Sequence, residues 1–166
     1  SVTTTHNQGK CVKYWPDEGS MVYDQTKVTM QSVEQLDQYL IARYFVIDNI
    51  NACTNLLRHT HHQIIGSEPR TIVQYQYLEW PDHSLPASSS VFLNLVHMVK
   101  REEGDGPIIV HCSAGIGRTG TFCVVHSIVK MLNKHVAEHQ EMPPINVVST
   151  VLHMRKQGPG MVQTHD

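Results

Sequence analysis

The chain has 166 residues, of which 40% are hydrophobic and 17% are charged, and its formal net charge at pH 7 is −2. This length and apolar content suit one globular domain with a buried core, and they exclude an intrinsically disordered chain. The slightly acidic charge argues against general affinity for nucleic acid, and no apolar run approaches the roughly 20 residues that cross a membrane.

The first half of the sequence predicts β-structure. Residues 22–30 and 39–48 are rich in β-branched and aromatic side chains, which favours strands. Alternate positions of the second segment are apolar, so one face is predicted to be buried, formed by Leu40, Ala42, Tyr44 and Val46. Residues 71–79 alternate in the same way, which predicts a half-buried strand with Val73, Tyr75 and Tyr77 on the core side and Gln74 and Gln76 on the solvent side.

A loop that contains Asp82 follows this third strand. Residues 78–86 read Leu-Glu-Trp-Pro-Asp-His-Ser-Leu-Pro, and the two prolines exclude the interior of a helix or strand. An isolated Pro-Asp pair is usually a surface turn with a solvated carboxylate. A carboxyl group on a loop that closes over a bound ester can, however, donate a proton to a leaving oxygen.

The next segment predicts a helix and then a short strand. Serines at 88–90 precede apolar residues at helical spacing, and serine is a preferred N-cap. The helix is predicted to end near Gly104 and to bury Phe92, Leu95, Val96 and Val99. Residues 107–110, Pro-Ile-Ile-Val, predict a short buried strand.

Residues 111–120 read His-Cys-Ser-Ala-Gly-Ile-Gly-Arg-Thr-Gly and carry the strongest signal in the chain. Cys112 and Arg118 lie six positions apart on this glycine-rich loop, so a tight loop can turn both side chains and the intervening amides toward one point. Such a ring of donors binds a tetrahedral oxyanion and favours a thiolate over a thiol. The loop therefore predicts a nucleophilic cysteine at an anion site, with a phosphate ester as the substrate class.

The same loop also contains the G-x-G-x-x-G pattern of dinucleotide-binding proteins, formed by Gly115, Gly117 and Gly120. Glu138 or Glu141 stands near the position where such proteins carry an acidic residue. This interpretation is the weaker one, because a dinucleotide loop requires neither a cysteine nor an arginine. The rest of the chain also lacks alternating strands and helices.

Two further helices complete the predicted fold. One follows Gly120 and is indicated by apolar residues at helical spacing, namely Phe122, Val125, Val129 and Leu132, widened by Val124, Ile128 and Met131. The other starts after Asn146, ends at the Gly-Pro-Gly of 158–160, and uses Val147, Val148, Val151 and Leu152. Strands followed by helices predict an α/β protein of the α+β type, with a twisted mixed sheet flanked by helices and the Cys-x5-Arg loop between a strand and a helix.

The motifs at 78–86 and 111–120 together resemble those of the tyrosine-specific protein phosphatases. Residues 10–16, Lys-Cys-Val-Lys-Tyr-Trp-Pro, resemble a third motif of that family. Residues 160–164, Gly-Met-Val-Gln-Thr, resemble its glutamine loop. These four motifs span nearly the whole chain.

The resemblance implies hydrolysis of phosphotyrosine in proteins through a phosphocysteine intermediate. Cys112 attacks phosphorus while Asp82 protonates the tyrosyl oxygen, and Arg118 binds two phosphate oxygens. Gln163 then positions a water that hydrolyses the intermediate. The substrate-binding amides are expected in the run Ser113, Ala114, Gly115, Ile116, Gly117 and Arg118.

Three other residues have supporting roles in this interpretation. Thr119 offers its hydroxyl to the sulfur as it leaves, and His111 holds the loop and tunes the thiolate by hydrogen bonding. Glu18 is the candidate for a carboxylate that orients Arg118, although Asp17 is adjacent.

The family's domain begins upstream of Ser1, with a tyrosine that stacks on the substrate ring, and it ends with a helix beyond Asp166. Residues 1–166 are therefore expected to be a partial catalytic domain. Gly158 stands where the family usually has an arginine, whereas Arg155 is present. No cofactor or metal is implied. The expected partners are phosphotyrosine-containing proteins, without nucleic acid or membrane contact, in the cytoplasm or on the cytoplasmic side of a receptor.

A catalytically weak domain that binds phosphotyrosine is the main alternative. Such domains usually lack one of four residues, all of which are present here: Asp82, Cys112, Arg118 and Gln163. A metal site at His59, His61 and His62 is disfavoured, because no fourth ligand follows. The four cysteines come without a secretion signal, which predicts no disulfide framework.

Overall fold

The computed structural model of the protein describes residues 2–4, 11–50, 68–104 and 106–164. Five strands come first, β1 (Val2–Thr4), β2 (Ser20–Tyr23), β3 (Thr26–Asp37), β4 (Leu40–Asn49) and β5 (Arg70–Tyr77). Three helices follow, α1 (Ser89–Arg101), α2 (Arg118–His139) and α3 (Val147–Gln157). The strands form one sheet in the order β1-β5-β4-β3-β2, with β1 parallel to β5 and the other pairs antiparallel. The predicted α+β class with a mixed sheet is confirmed.

The prediction of one strand at 22–30 is wrong, because a hairpin turn interrupts the segment. Tyr23 pairs with Thr26, and Asp24 between them has a φ of +53°. Aspartate tolerates this left-handed conformation better than most residues, which allows the tight turn. The strand predicted at 39–48 is confirmed and forms the middle of the sheet as β4.

The prediction that β5 is buried on one face only is also wrong. Gln74 and Gln76, expected on the solvent side, are only 2% and 3% exposed. The segment before β2 covers this face, since Gln74 Nε2 donates a hydrogen bond to Tyr14 Oη at 3.0 Å. Arg43 on β4 extends the layer by placing its guanidinium 4.8 Å from the centre of the Trp15 ring.

The hydrophobic core lies between the other face of the sheet and the helices. Helix α1 buries the four predicted residues, Phe92, Leu95, Val96 and Val99. Its N-cap is Ser88, whose side chain accepts a hydrogen bond from the Val91 amide at 3.3 Å. Edge-to-face ring contacts run from Trp80 to Phe92 and on to Phe122 of α2, so the Asp82 loop (residues 78–86) is anchored to the core.

Residues 107–110 do not form the predicted buried strand. Only Val110 makes a single β-bridge, and Ile109 is 67% exposed. Residues 107–110 lead directly into the loop at 111–120, as predicted. No described strand pairs with them beyond the bridge at Val110.

The two later helices are confirmed, although α2 begins at Arg118 rather than after Gly120. Helix α3 has Asn146 as its N-cap, which accepts from the Ser149 amide at 2.8 Å, and it ends at Gly158. Its apolar residues are largely exposed, namely Val147, Val148 and Leu152. Among the described residues, neither α3 nor any other helix has an apolar stretch long enough to span a bilayer.

Candidate active site

The loop at residues 111–120 surrounds the Cys112 sulfur with donors. Gly115 has a φ of +77°, a conformation that glycine adopts without a steric penalty, and this turn brings the Gly115 amide to 3.2 Å from Cys112 Sγ. Cys112 is 7% exposed. Helix α2 begins at Arg118, so its positive N-terminal end also faces this loop.

These contacts determine the ionisation of Cys112. Burial is the largest single influence and by itself raises the pKa of the thiol, because a thiolate loses hydration. The side chain and amide of Thr119, the Gly115 amide and the charge of Arg118 act in the opposite direction, and their sum lowers the pKa below that of an ordinary cysteine. The buried Thr119 hydroxyl has no hydrogen bond of good geometry within the described residues, so its effect on the sulfur is that of a nearby dipole.

The Asp82 loop is closed over the 111–120 loop. Arg118 donates one hydrogen bond to Trp80 O at 2.9 Å and another to Ser113 Oγ at 2.9 Å. Its guanidinium also forms an ion pair with Asp82, and both side chains are mostly buried. The structure therefore brings Asp82, Cys112 and Arg118 together, although they are up to 36 residues apart in the sequence.

Gln163 lines the same cleft. Its side chain passes over Gly117, where a Cβ atom would stand 3.3 Å from Gln163 Oε1. The cleft has a volume of about 120 Å³ and is lined by all four predicted catalytic residues. Typical ligand pockets hold roughly 300–1,000 Å³. The cleft is thus smaller than a typical ligand pocket and suits a small anionic group.

The loop that carries Gln163 (residues 158–164, the Gln163 loop) packs directly on the 111–120 loop. The Val162 amide donates to Ile116 O at 3.0 Å. A Cβ atom at Gly120 would stand 2.4 Å from Val162 N, which is a severe overlap with backbone. Only glycine permits this approach, so the Gly120 position of the motif is fixed by its contact with the Gln163 loop.

Gly120→Ala is accordingly expected to separate the two loops. Overpacking of this kind destabilises a protein by about 1–3 kcal/mol, and the displacement also moves Gln163. Denaturant unfolding measures the first effect, and Gly104→Ala is the matched control because nothing lies within 4 Å of a Cβ atom there. Equal free energies of unfolding for the two variants would contradict the close approach.

Comparison with known proteins decides which family contains this site. A family model described as protein-tyrosine phosphatase matches residues 2–166. The chain belongs to the protein-tyrosine phosphatase family.

Individual relatives agree with this assignment. Tyrosine-protein phosphatase 2 of Dictyostelium discoideum is 41% identical over 157 residues, which cover 95% of this chain and 38% of that protein. Human tyrosine-protein phosphatase non-receptor type 2 is 34% identical over 164 residues, or 95% of this chain and 34% of that one. A solved structure of PTPN18 in complex with HER2 phosphopeptides superposes with a TM-score of 0.76 at 28% identity, and covers 98% of this chain and 56% of that one. The chain thus spans well under half the length of the two relatives.

His111 is held by a hydrogen-bond chain that the sequence analysis missed. Its Nδ1 donates to Cys112 O at 3.2 Å, and its Nε2 is 2.7 Å from Tyr14 Oη. In the neutral ring with its proton on Nδ1, which faces this carbonyl, Nε2 accepts from the tyrosine hydroxyl. Tyr14 in turn accepts from the buried Gln74. His111 therefore fixes the backbone of Cys112 rather than contacting its sulfur. Tyr14, in the motif at residues 10–16, was the sequence feature from which this contact could have been predicted.

Glu18 is not brought to Arg118. It lies on an exposed segment before β2 and makes no hydrogen bond or ion pair within the described residues. Asp17, the neighbouring candidate, pairs with Lys13 instead. In this structure Arg118 is oriented by Trp80, Asp82 and Ser113, so the expectation for Glu18 is not met.

No cluster of three or more metal-ligating side chains occurs among the residues that the structure describes. The candidate histidines at 59, 61 and 62 lie outside the described residues, as does Cys53. The three described cysteines, Cys11, Cys112 and Cys123, are free thiols. Cys11 donates a weak hydrogen bond to Cys112 O at 3.4 Å and so adds to the support of the loop.

Proposed function

We propose that this site hydrolyses phosphotyrosine in proteins through a phosphocysteine intermediate. The observation that carries the proposal is the meeting of a thiol of lowered pKa, Cys112, with the Arg118 guanidinium and the Asp82 carboxyl group in one small cleft. The amides of the run from Ser113 to Arg118 supply further donors for the phosphate oxygens. Fixed donors of this kind suit phosphoryl transfer, because charge spreads over the three equatorial oxygens in the transition state.

In the first step the Cys112 thiolate attacks phosphorus, an S–P bond forms, and the bond from phosphorus to the tyrosyl oxygen breaks. Asp82 gives its proton to that oxygen, so tyrosine leaves as the neutral phenol. Arg118 binds two phosphate oxygens with parallel N–H groups. A bound phosphoryl group competes with Asp82 for this guanidinium and releases the carboxylate. The freed carboxylate takes up a proton from water, and as the carboxylic acid it serves the leaving oxygen.

In the second step a water attacks the phosphocysteine and the S–P bond breaks. Gln163 positions this water and Asp82 accepts its proton. Inorganic phosphate is released and the Cys112 thiolate is regenerated. Thr119, next to the sulfur, stabilises the thiolate as it leaves. The location of Gln163 against Gly117 of the 111–120 loop supports this role.

The presence of all four residues at one cleft favours an enzyme over a domain that only binds phosphotyrosine. The small volume of the cleft and the remote, exposed positions of Glu138 and Glu141 count against dinucleotide binding. Phosphotyrosine-containing proteins are the proposed partners and substrates. A reactive thiolate requires a reducing compartment, so we place the domain in the cytoplasm, alone or as part of a receptor.

The proposal is tested by incubating the purified protein with a phosphotyrosyl peptide and the matched phosphoseryl peptide. Release of inorganic phosphate is expected from the first only, and EDTA is expected to leave the rate unchanged because the steps use no metal. Acid quenching with radiolabelled phosphate in the peptide should trap label on the tryptic fragment that contains Cys112. Turnover without any label on that fragment would contradict the covalent route.

A further inference from the structure

Val162, the residue before Gln163, has an unusual backbone conformation. Its φ is +59°, in the left-handed region that β-branched residues rarely occupy, because their Cβ substituents crowd the backbone there. Without stabilising contacts, a valine adopts an extended or right-handed conformation, and this change would rotate the following peptide. The direction in which Gln163 leaves the backbone therefore depends on contacts that hold Val162 in place.

Two sets of hydrogen bonds supply these contacts. On the cleft side the Val162 amide donates to Ile116 O at 3.0 Å. On the outer side Arg155 donates from Nε to Met161 O at 2.9 Å and from its terminal nitrogen to Val162 O at 2.7 Å. Charged donors form the stronger type of hydrogen bond, and the planar guanidinium engages both carbonyls at once. Arg155 lies in the last turn of α3, so the helix provides its anchor.

We propose that Arg155 is a positioning residue that holds Val162 in the left-handed conformation and thereby orients Gln163 for hydrolysis of the phosphocysteine. The inference rests on the proposed function, in which Gln163 acts on the second step. Arg155 makes no hydrogen bond or ion pair to Cys112, Asp82 or Arg118 among the described residues. Loss of its side chain should therefore slow the second step and leave the first step intact.

The kinetic test compares Arg155→Met with Lys156→Met. Both remove a positive charge from the last turn of α3, but Lys156 is exposed and makes no hydrogen bond within the described residues. For Arg155→Met we expect kcat to fall by at least about 10-fold, and up to the roughly 10²-fold that a 1 Å misplacement can cost. KM should fall in parallel, so kcat/KM stays constant, because that ratio reports the steps through release of the phenol. Arg155→Lys, with one ammonium group for two carbonyls, should give an intermediate kcat.

A fall of kcat/KM in proportion to kcat would overturn the proposal, since it would indicate general damage to the site. An unchanged kcat, or an equal effect of Lys156→Met, would also overturn it.

A measurement independent of turnover separates this inference from the proposed function. Hydrogen exchange of the Val162 amide should accelerate by at least about 10-fold in Arg155→Met and stay unchanged in Lys156→Met, because opening of the turn exposes the bond to Ile116. Unchanged exchange in Arg155→Met overturns the inference whether or not the protein is active. Absence of turnover in the unsubstituted protein would contradict the proposed function. The exchange rate of the Val162 amide would then still test whether Arg155 holds Val162 in place.

Discussion

Cys112→Ser is expected to abolish turnover of phosphotyrosyl peptides. A serine hydroxyl in this cleft stays protonated, because the dipoles that lower the pKa of the thiol are too weak to ionise an alcohol. Removal of the nucleophile from another covalent hydrolase lowers kcat by on the order of 10⁶-fold, and a loss of that size is expected here. Steady-state release of phosphate measures it.

The binding site itself should survive this substitution, since Arg118 and the loop amides are unchanged. Equilibrium dialysis with a phosphotyrosyl peptide should show retained affinity. Cys123→Ser is the matched control, because Cys123 lies on α2 and does not line the cleft; it should leave kcat within a small factor of the unsubstituted value. Normal turnover by Cys112→Ser would contradict nucleophilic catalysis by this residue.

Asp82→Asn is expected to lower kcat by roughly 10²–10⁴-fold, the usual contribution of general acid–base catalysis. Asparagine keeps the size of the side chain and an oxygen that accepts a hydrogen bond from Arg118, so the loop should stay closed. It cannot give a proton to the tyrosyl oxygen. The loss should be largest for tyrosyl esters and smaller for aryl esters with acidic leaving groups, which need less protonation. A series of aryl phosphates of increasing phenol acidity measures this dependence.

Asp17→Asn provides the control for loss of a carboxylate. Asp17 is exposed, pairs with Lys13 among the described residues and does not line the catalytic cleft. Its kcat should be unchanged. If Asp82→Asn were equally active, or if its effect did not vary with the leaving group, the assignment of Asp82 as general acid would be wrong.

The local part of the candidate site could be predicted from the sequence. Cys112, Arg118 and the glycines between them lie within one turn of chain, so their approach follows from loop geometry alone. The helices after Ser88 and Asn146 were predicted because their caps and apolar periodicity are local signals as well, and the helix predicted after Gly120 was indicated by its apolar periodicity alone. The family resemblance, not the local pattern, predicted that Asp82 and Gln163 lie next to this loop. The structure places both at the same cleft.

The features that escaped prediction depend on distant contacts. Gln74 and Gln76 look solvent-facing by alternation, but Tyr14 and Trp15 cover that face of the sheet. The strand expected at 107–110 requires a paired neighbour, which periodicity does not provide. The left-handed conformation of Val162 contradicts the preference of valine, and it arises from its bonds to Ile116 and Arg155. Local propensity yields to tertiary structure at these points.

The ionisation of Cys112 is the central claim, and the pH dependence of its alkylation tests the claim most directly. The rate of carboxymethylation by iodoacetate follows the thiolate fraction, so a lowered pKa moves the rise in rate to lower pH. Cys123 serves as the internal control, because burial raises the pKa of its thiol. Mass spectrometry of the two peptides should give a midpoint for Cys112 below the ordinary thiol value of about 8.5, with protection by phosphate or vanadate. A midpoint for Cys112 at or above that value, without protection by either anion, would contradict the account.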